Sequence, residues 1–188
     1  MRARSLVQIW LAVTIGVSIL AALDGGWTAS WLALDPSRVW HGQVWRLVTW
    51  PWVQHGPIPL VVTCALIYKL GGDLSVRWGE RRLRRFVAQV IVAAAVVACV
   101  ADALAGGDRV WRLGGWAITD VLLIAWARQF PTQALVMYWV LVVRGRQIVR
   151  LVVAVNLLFA IFFGAVRMMP ELVACAAAAL YPRALLSR

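Results

Sequence analysis

Residues 5–23 read SLVQIWLAVTIGVSILAAL, a run of 19 residues without a charged side chain. Arg2 and Arg4 precede this run. A membrane-spanning helix needs about 20 apolar residues, whereas the apolar part of a secretory signal peptide is about 7–15 residues long. The run therefore predicts a first transmembrane helix, at about 6–23, rather than a cleaved signal peptide.

The rest of the chain continues this pattern of long apolar runs. Of its 188 residues, 63% are hydrophobic and 14% are charged, and the mean hydropathy is +0.79. A soluble domain of this length needs more polar surface, so we expect an all-α membrane protein with a single domain over residues 1–188. The predicted bundle has a long first loop at the outer interface and six transmembrane helices, at about 6–23, 57–72, 86–104, 113–127, 150–166 and 170–185.

One further apolar segment, 129–143, is ambiguous. Pro131 lies near its start, Arg128 precedes it and Arg144 follows it. Basic residues mark the cytoplasmic ends of membrane segments, so basic residues on both sides favour a segment that does not cross. We interpret it as re-entrant or interfacial, and a seventh spanning helix is the alternative.

The formal net charge of +11 is distributed unevenly along the chain. Of the 19 basic residues, 14 fall in segments that would face inside with six spans, and five fall in outside segments, namely Arg38, Arg46, Arg109, Arg112 and Arg167. The positive-inside rule then predicts that both termini are cytoplasmic. Short basic clusters between apolar runs favour anionic lipid, with a cytoplasmic partner at the basic loops as a further expectation, over nucleic acid.

The composition also suggests a source and a chemistry. Lys69 is the only lysine, and Ala, Val and Trp are abundant, from which we expect a bacterial inner membrane. The cysteines, Cys64, Cys99 and Cys175, each lie within an apolar run and form no Cys-x-x-Cys pair. This pattern favours core packing, so we expect no metal and no cofactor.

Two segments carry a family resemblance. The first loop reads Trp31-Leu-Ala-Leu-Asp-Pro and then Gly42-Gln-Val-Trp-Arg-Leu-Val-Thr, and the second span ends Leu70-Gly-Gly-Asp-Leu-Ser-Val-Arg-Trp-Gly. The Trp-Arg pair and the Gly-Gly…Arg-x-Gly pattern resemble the rhomboid superfamily of membrane proteins. The resemblance implies that Trp45 and Arg46 anchor the first loop at the membrane interface, and that Gly71, Gly72 and Gly79 allow close helix packing.

The residues that catalyse proteolysis in rhomboid proteases are missing. Those enzymes take a nucleophilic serine from the fourth helix and a histidine base from the sixth. Here no serine lies between Ser75 and Ser187, and no histidine follows His55. Aligned with the rhomboid pattern, the nucleophile position corresponds to Gly115, so the resemblance implies a protein without peptidase activity.

The remaining motif positions agree with this interpretation. The oxyanion motif of the second helix corresponds to Pro59 and Thr63, and proline has no N–H to donate to a developing negative charge. The fourth span looks more like derlins, the inactive rhomboid relatives that handle misfolded proteins, in its pattern Gly115-x-Ala117-x-Thr119, Trp126-x-Arg128 and Pro131.

Asp120 lies within the fourth span, where a carboxylate is costly unless it is paired or faces water. Its candidate partners are Arg46, Arg112 and Asn156. A structural ion pair is one interpretation. The other is a water-filled cavity that binds clients, lined by Thr63, Gly115, Thr119 and Asp120. In the sixth span, Ala174 and Ala178 are small residues that allow tight helix contact.

The sequence therefore indicates a non-catalytic, derlin-like membrane protein. We expect it to bind transmembrane or misfolded hydrophobic segments of membrane-protein clients, in membrane-protein quality control. Two alternatives remain open. The first is an active intramembrane protease with an atypical nucleophile such as Thr119, and the second is a small transporter or channel with Asp120 on its path.

Overall fold

A computed structural model describes residues 5–54, 56–104, 115–137, 141–164 and 168–181. Its α-helices are α1 (Ser5–Leu23), α2 (Trp27–Leu32), α3 (Pro36–Trp40), α4 (Arg46–Thr49), α5 (Pro57–Leu66), α6 (Gly72–Trp78), α7 (Glu80–Leu104), α8 (Gly115–Gln129), α9 (Gly145–Phe163) and α10 (Met169–Leu180). The helices surround one core of buried apolar side chains. The prediction of an all-α membrane protein is confirmed.

Within the described ranges, four stretches are long and apolar enough to cross a membrane, namely Ser5–Leu23, Pro57–Trp78, Glu80–Leu104 and Gly145–Phe162. Two apolar helices are shorter, with 15 residues in α8 and 12 in α10. At 1.5 Å per residue these two helices are about 22 Å and about 18 Å long, less than the roughly 30 Å of a hydrocarbon core.

The predicted first loop is folded rather than extended. It contains α2, α3 and α4, followed by a 3₁₀ turn over Trp50–Trp52. Asp35 caps α3, because its carboxylate accepts a hydrogen bond from the backbone N–H of Arg38 at 3.2 Å, and Pro36 occupies the first helical position. Both residues are typical of a helix start.

The second span is longer than the predicted 57–72. A π-helical turn over Ile67–Gly71 joins α5 directly to α6, and the helix continues to Trp78. The π turn lies against α1, where a methyl group on Gly71 would meet Val7 Cγ2 at 3.4 Å. Gly71 therefore lies at a close contact between the first two spans.

Several helix ends meet at one end of the bundle. The carboxylate of Glu80 accepts hydrogen bonds from the hydroxyl of Ser5 at 2.9 Å and from the N–H of Leu6 at 3.2 Å, which joins the start of α7 to the start of α1. Trp78 Nε1 donates to Gln129 Oε1 at 3.3 Å, which joins the end of α6 to the end of α8. We call this the basic end, because the helix termini that meet here carry most of the arginines of the described chain.

The ambiguous segment 129–143 contains a β-hairpin, a structure that the sequence did not predict. Strands β1 (Ala134–Met137) and β2 (Leu141–Arg144) pair antiparallel, with Ala134 opposite Arg144. The N–H of Gly145 then donates to the carbonyl of Gln133 at 2.9 Å. The chain thus returns to the end of α8 from which it left, so this segment is not a spanning helix.

The glycines and alanines predicted to pack helices differ in their surroundings. Ala174 and Ala178 are fully buried on α10, which packs against α7 and α8. A methyl group on Gly72 would meet nothing within 4 Å, so the close packing expected there is absent. Gly79 likewise has open space around it, and its φ of +81° shows that it is needed for the turn between α6 and α7.

Gly145, which the sequence analysis did not identify, has the tightest surroundings of the described glycines. A methyl group there would overlap the carbonyl oxygen of Phe130 and lie 2.9 Å from the Cα of Pro131. Both neighbours are backbone atoms that cannot rotate away. Gly145 therefore fixes the distance between the start of α9 and the end of α8.

We predict that Gly145→Ala lowers the free energy of unfolding by about 1–3 kcal/mol, the usual cost of overpacking. The matched control is Gly72→Ala, which should leave stability unchanged or raise it by up to about 1 kcal/mol, because alanine is the better helix former. Steric-trap unfolding in bicelles measures both variants. Equal stabilities for the two variants would contradict the packing role of Gly145.

Candidate functional site

Helix α8 is enclosed by the rest of the bundle. Every residue from 117 to 127 is buried, including two polar ones, Thr119 and Asp120. A helix that is buried on all sides needs protein partners for its polar side chains, because neither water nor lipid reaches them. The partners of α8 therefore decide which chemistry this part of the protein can perform.

Asp120 meets one residue from each of two neighbouring helices. Asn156 of α9 donates an Nδ2–H to Oδ2 of Asp120 at 2.8 Å, and the same amide donates to the carbonyl of Val152 at 3.0 Å. The thiol of Cys175, on α10, lies 3.8 Å from Oδ2 of Asp120. Of the partners that the sequence suggested, Asn156 bonds to Asp120 and Arg46 bonds elsewhere, while Arg112 lies outside the described residues.

Thr119 is engaged within its own helix. Its hydroxyl donates to the carbonyl oxygen of Trp116 at 2.7 Å, and its side chain is buried. A nucleophilic hydroxyl needs a base that accepts its proton. In the described arrangement the proton points to a backbone carbonyl, which is not a base.

The four residues expected to line a client cavity lie on two helices, α5 and α8. Thr63 is buried on α5, and Gly115 is the first residue of α8. Thr119 and Asp120 bond within the bundle as described above. An amide and a carboxylate lower their cost in an apolar interior by pairing with each other, and the bond between Asn156 and Asp120 does this.

The described residues also bear on metal binding. Among them, no group of three His, Cys, Asp or Glu side chains is placed to hold a metal ion. The cysteines that fall in the described ranges are all free thiols.

The last turn of α8 carries two side chains that donate hydrogen bonds to neighbouring helices. Trp126 Nε1 donates to the carboxylate of Asp73 at 2.9 Å. The guanidinium of Arg128 donates to the carbonyl of Ala178 at 2.7 Å and to that of Tyr181 at 2.9 Å, which satisfies the C-terminus of α10. The Trp126-x-Arg128 motif was recognised from the sequence, but its partners, Asp73 and the α10 carbonyls, were not.

Arg46 is the residue that holds the first loop together. Its side chain is fully buried, so the headgroup contacts expected for it are absent. Nη1 donates to the carbonyls of Ser30 at 2.8 Å and Ala33 at 2.7 Å, and Nε donates to Gln43 Oε1 at 2.8 Å. Burial, followed by the charge of Arg38, lowers the pKa of Arg46 from its usual value, and Asp35 acts in the opposite direction.

Trp45 forms the exposed side of the same loop. Its ring stacks on Trp31 with centroids 6.0 Å apart, and its Nε1 donates to the Trp31 carbonyl at 3.4 Å. Trp27 lies against Trp31 in turn, at 5.6 Å. Partly exposed indole rings are typical of the membrane interface, so this stack fits the position expected for Trp45.

A partly open cavity of about 350 Å³ lies on the other side of the first loop, between α1, α2 and α5. Ile19 lines this cavity and is still 48% exposed, so the cavity reaches the outer surface of α1. Among the described residues that line it, Ser18 and Gln54 have polar side chains, and the N–H of Gln54 donates to the Ser18 hydroxyl at 3.0 Å. The site is therefore apolar, and it lies at the end of the bundle opposite the basic end.

The chain matches a protein-family model over most of its length. The model described as "Eukaryotic integral membrane protein (DUF1751)" covers residues 5–185 of the chain. A comparison of the chain with individually curated protein sequences found no match. Since the matching family is eukaryotic, the expectation of a bacterial inner membrane, which came from residue composition alone, is wrong.

We predict a measurable coupling between Asp120 and Asn156. In a double-mutant cycle of Asp120→Ala, Asn156→Ala and the double variant, the coupling should be about 1 kcal/mol, the scale of polar pairs between membrane helices. Thermal unfolding in bicelles measures each corner of the cycle. A coupling of zero would mean that the observed bond does not contribute to stability.

We predict that Arg46→Ala lowers the free energy of unfolding by about 1–3 kcal/mol, because two backbone carbonyls lose a charged donor. Arg46→Lys should recover only part of this loss, because an ammonium group lacks the planar fork that serves several acceptors. Arg84→Ala, which removes an exposed arginine of α7, is the control and should stay close to the wild type. If Arg46→Ala unfolds like that control, the hydrogen bonds of Arg46 do not stabilise the loop.

Proposed function

The chain belongs to the eukaryotic integral membrane protein family, and on this premise we propose that it is a rhomboid-like protein without peptidase activity. In this proposal it resembles derlins. It binds transmembrane or misfolded hydrophobic segments of client proteins, in membrane-protein quality control, and does not cut them. We also propose that the basic end and both termini face the cytoplasm.

The observation that carries this proposal is the apolar cavity between α1, α2 and α5. A volume of about 350 Å³ is at the lower end of the range for ligand sites, enough for a few side chains but not for a whole helix. Because Ile19 is both a lining residue and exposed, a side chain of a client helix can enter from the membrane. Ser18 and Gln54 supply polar groups at its wall.

The short helix α10 supports the same function. A bilayer that matches its hydrophobic length of about 18 Å must thin around it. Thin hydrocarbon brings water and headgroups closer to the membrane centre, so a polar residue on a client segment costs less to hold there. Client segments with polar residues are the ones that misfold or stay unassembled in a membrane of normal thickness.

The contacts of Thr119 favour this proposal over an atypical protease. Its hydroxyl proton is directed at the Trp116 carbonyl at 2.7 Å, and Gly115 has no side chain to supply a nucleophile. Proteolysis would need Thr119 to leave this bond and find a base in an apolar bundle.

The burial of Asp120 favours client binding over transport. A carboxylate on an ion path must exchange its partners for water or a cargo ion. Asp120 instead has one side chain from α9 and another from α10 against the same oxygen. Transport through this point would require α8, α9 and α10 to separate.

We predict that a photoreactive amino acid at position 19 crosslinks client segments severalfold more than one at position 20. Ile19 and Leu20 are adjacent on α1 and are 48% and 56% exposed, but only Ile19 lines the cavity. Photoreactive groups at the two positions therefore lie at the same membrane depth, but only the group at position 19 faces the cavity. The client is a single-span protein with one polar residue in its span, reconstituted with the photoreactive variants in liposomes and scored on gels.

A second client with an all-leucine span sets the specificity of the assay. We expect it to crosslink less at position 19, because it gains nothing from a thinned bilayer. The same gels show whether either client is cut, and we expect both to stay intact. Equal yields at positions 19 and 20 would contradict the proposed cavity, and a cleavage product that is lost with Thr119→Val would contradict the absence of peptidase activity.

A further inference from the structure

We propose that the basic end is a binding surface for anionic phospholipids whose headgroups carry several phosphates. The structure brings together two groups of arginines that are far apart in the sequence. One group belongs to the turn between α6 and α7, and the other to the end of β2 and the start of α9. The members of this arginine surface are Arg77, Arg81, Arg82, Arg84, Arg85, Arg144, Arg146 and Arg150.

The short segment after α8 connects the two groups. Gln129 accepts the hydrogen bond of Trp78, the neighbour of Arg77. Two residues later, the carbonyl of Pro131 accepts the backbone N–H of Arg146 at 3.2 Å. Both arginine groups therefore border residues 129–133 and face one region of the membrane surface.

The carboxylates at this end are already engaged. Asp73 forms a salt bridge with Lys69 at 3.1 Å and accepts the Trp126 hydrogen bond, and Glu80 holds the start of α1. Within the described ranges, none of the eight arginines forms a salt bridge with a carboxylate. Seven of the eight are exposed and Arg82 is partly buried. Their mutual repulsion favours a multivalent anion from outside the chain.

The chemistry of the surface selects phosphate. A guanidinium is planar and binds phosphate oxygens through two parallel N–H bonds, whereas a carboxylate or a neutral headgroup offers fewer acceptors. A headgroup with several phosphates neutralises several arginines at once. It should therefore bind more tightly than a headgroup with a single negative charge.

The neighbouring apolar residues favour a lipid over an acidic protein. Val76, directly before Arg77, is 76% exposed, although it is apolar. An exposed valine beside the arginines indicates that hydrocarbon begins at this level. The phosphates of a lipid, with its acyl chains beside Val76, satisfy both kinds of surface, as polybasic segments do at anionic leaflets.

The test measures lipid retention by the whole protein in detergent, using native mass spectrometry. The probes are phosphatidylinositol bisphosphate, phosphatidylserine and phosphatidylcholine at equal mole fractions, with soluble inositol trisphosphate as a competitor. We expect the bisphosphate lipid to be retained most, and its retention to fall as salt is raised. The soluble headgroup should compete poorly, because it has no acyl chains.

Variants from both groups test whether the surface is one site. Each of Arg77→Gln and Arg146→Gln should weaken binding of the bisphosphate lipid about fivefold, since each arginine near an anionic headgroup contributes about that factor. The double variant with lysine at both positions keeps the charge and should lose less than the double glutamine variant. Unchanged thermal unfolding of the variants excludes a folding defect.

Three results would overturn the proposal. The first is equal retention of phosphatidylserine and the bisphosphate lipid. The second is wild-type retention by the double glutamine variant. The third is competition by inositol trisphosphate as strong as that by the lipid, which would mean that the surface binds free phosphates instead.

Discussion

The structure depends on one constraint: α8 is buried on all sides from Ala117 to Ala127, so its polar side chains must find partners within the protein. Asp120 meets α9 and α10, Trp126 binds Asp73 beside the π turn, and Arg128 binds the last carbonyls of α10. Lipid provides no hydrogen bonds, so these contacts fix the rotation and depth of α8 relative to its neighbours. The positions of α6, α9 and α10 follow from them.

The same constraint separates two kinds of surface. Asp120, Trp126 and Arg128 of α8 are paired inside the bundle. The apolar cavity between α1, α2 and α5 opens outward at one end of the bundle, and the arginine surface lies at the other. The proposed client binding and the proposed lipid binding therefore use opposite ends of one bundle. Neither proposal requires α8 to move.

The sequence predicted the features that apolar periodicity and charge determine. The first span, Ser5–Leu23, came within one residue, and the importance of Arg46 to the first loop was anticipated. The burial of Arg46 was not predicted. A Trp-Arg pair at an interface does not indicate whether the guanidinium contacts lipid or the carbonyls of its own loop. The two adjacent residues differ: the Trp45 ring is partly exposed, whereas the Arg46 guanidinium is buried and bonds to loop carbonyls.

Other features could not be read from the sequence for physical reasons. The sequence of strands β1 and β2 is as apolar as that of a membrane helix, so hydropathy does not distinguish the two structures. The strands are recognised by their pairing with each other. Gly145 gave no signal, because its role arises from the backbone of Phe130 and Pro131 rather than from a turn. The sequence showed that burying the Asp120 carboxylate in a membrane helix is costly. Its partner could be identified only from the positions of the neighbouring helices.

Hydrogen–deuterium exchange in lipid nanodiscs tests the central claim most directly, because it reports whether water reaches α8. A sealed α8 predicts that the amides from Ala117 to Ala127 exchange more slowly than those of α2, which has no buried residue and lies outside the candidate spans. Fast exchange around Thr119 and Asp120 would contradict the account, since it would place a water-filled cavity where the structure has a paired and buried carboxylate.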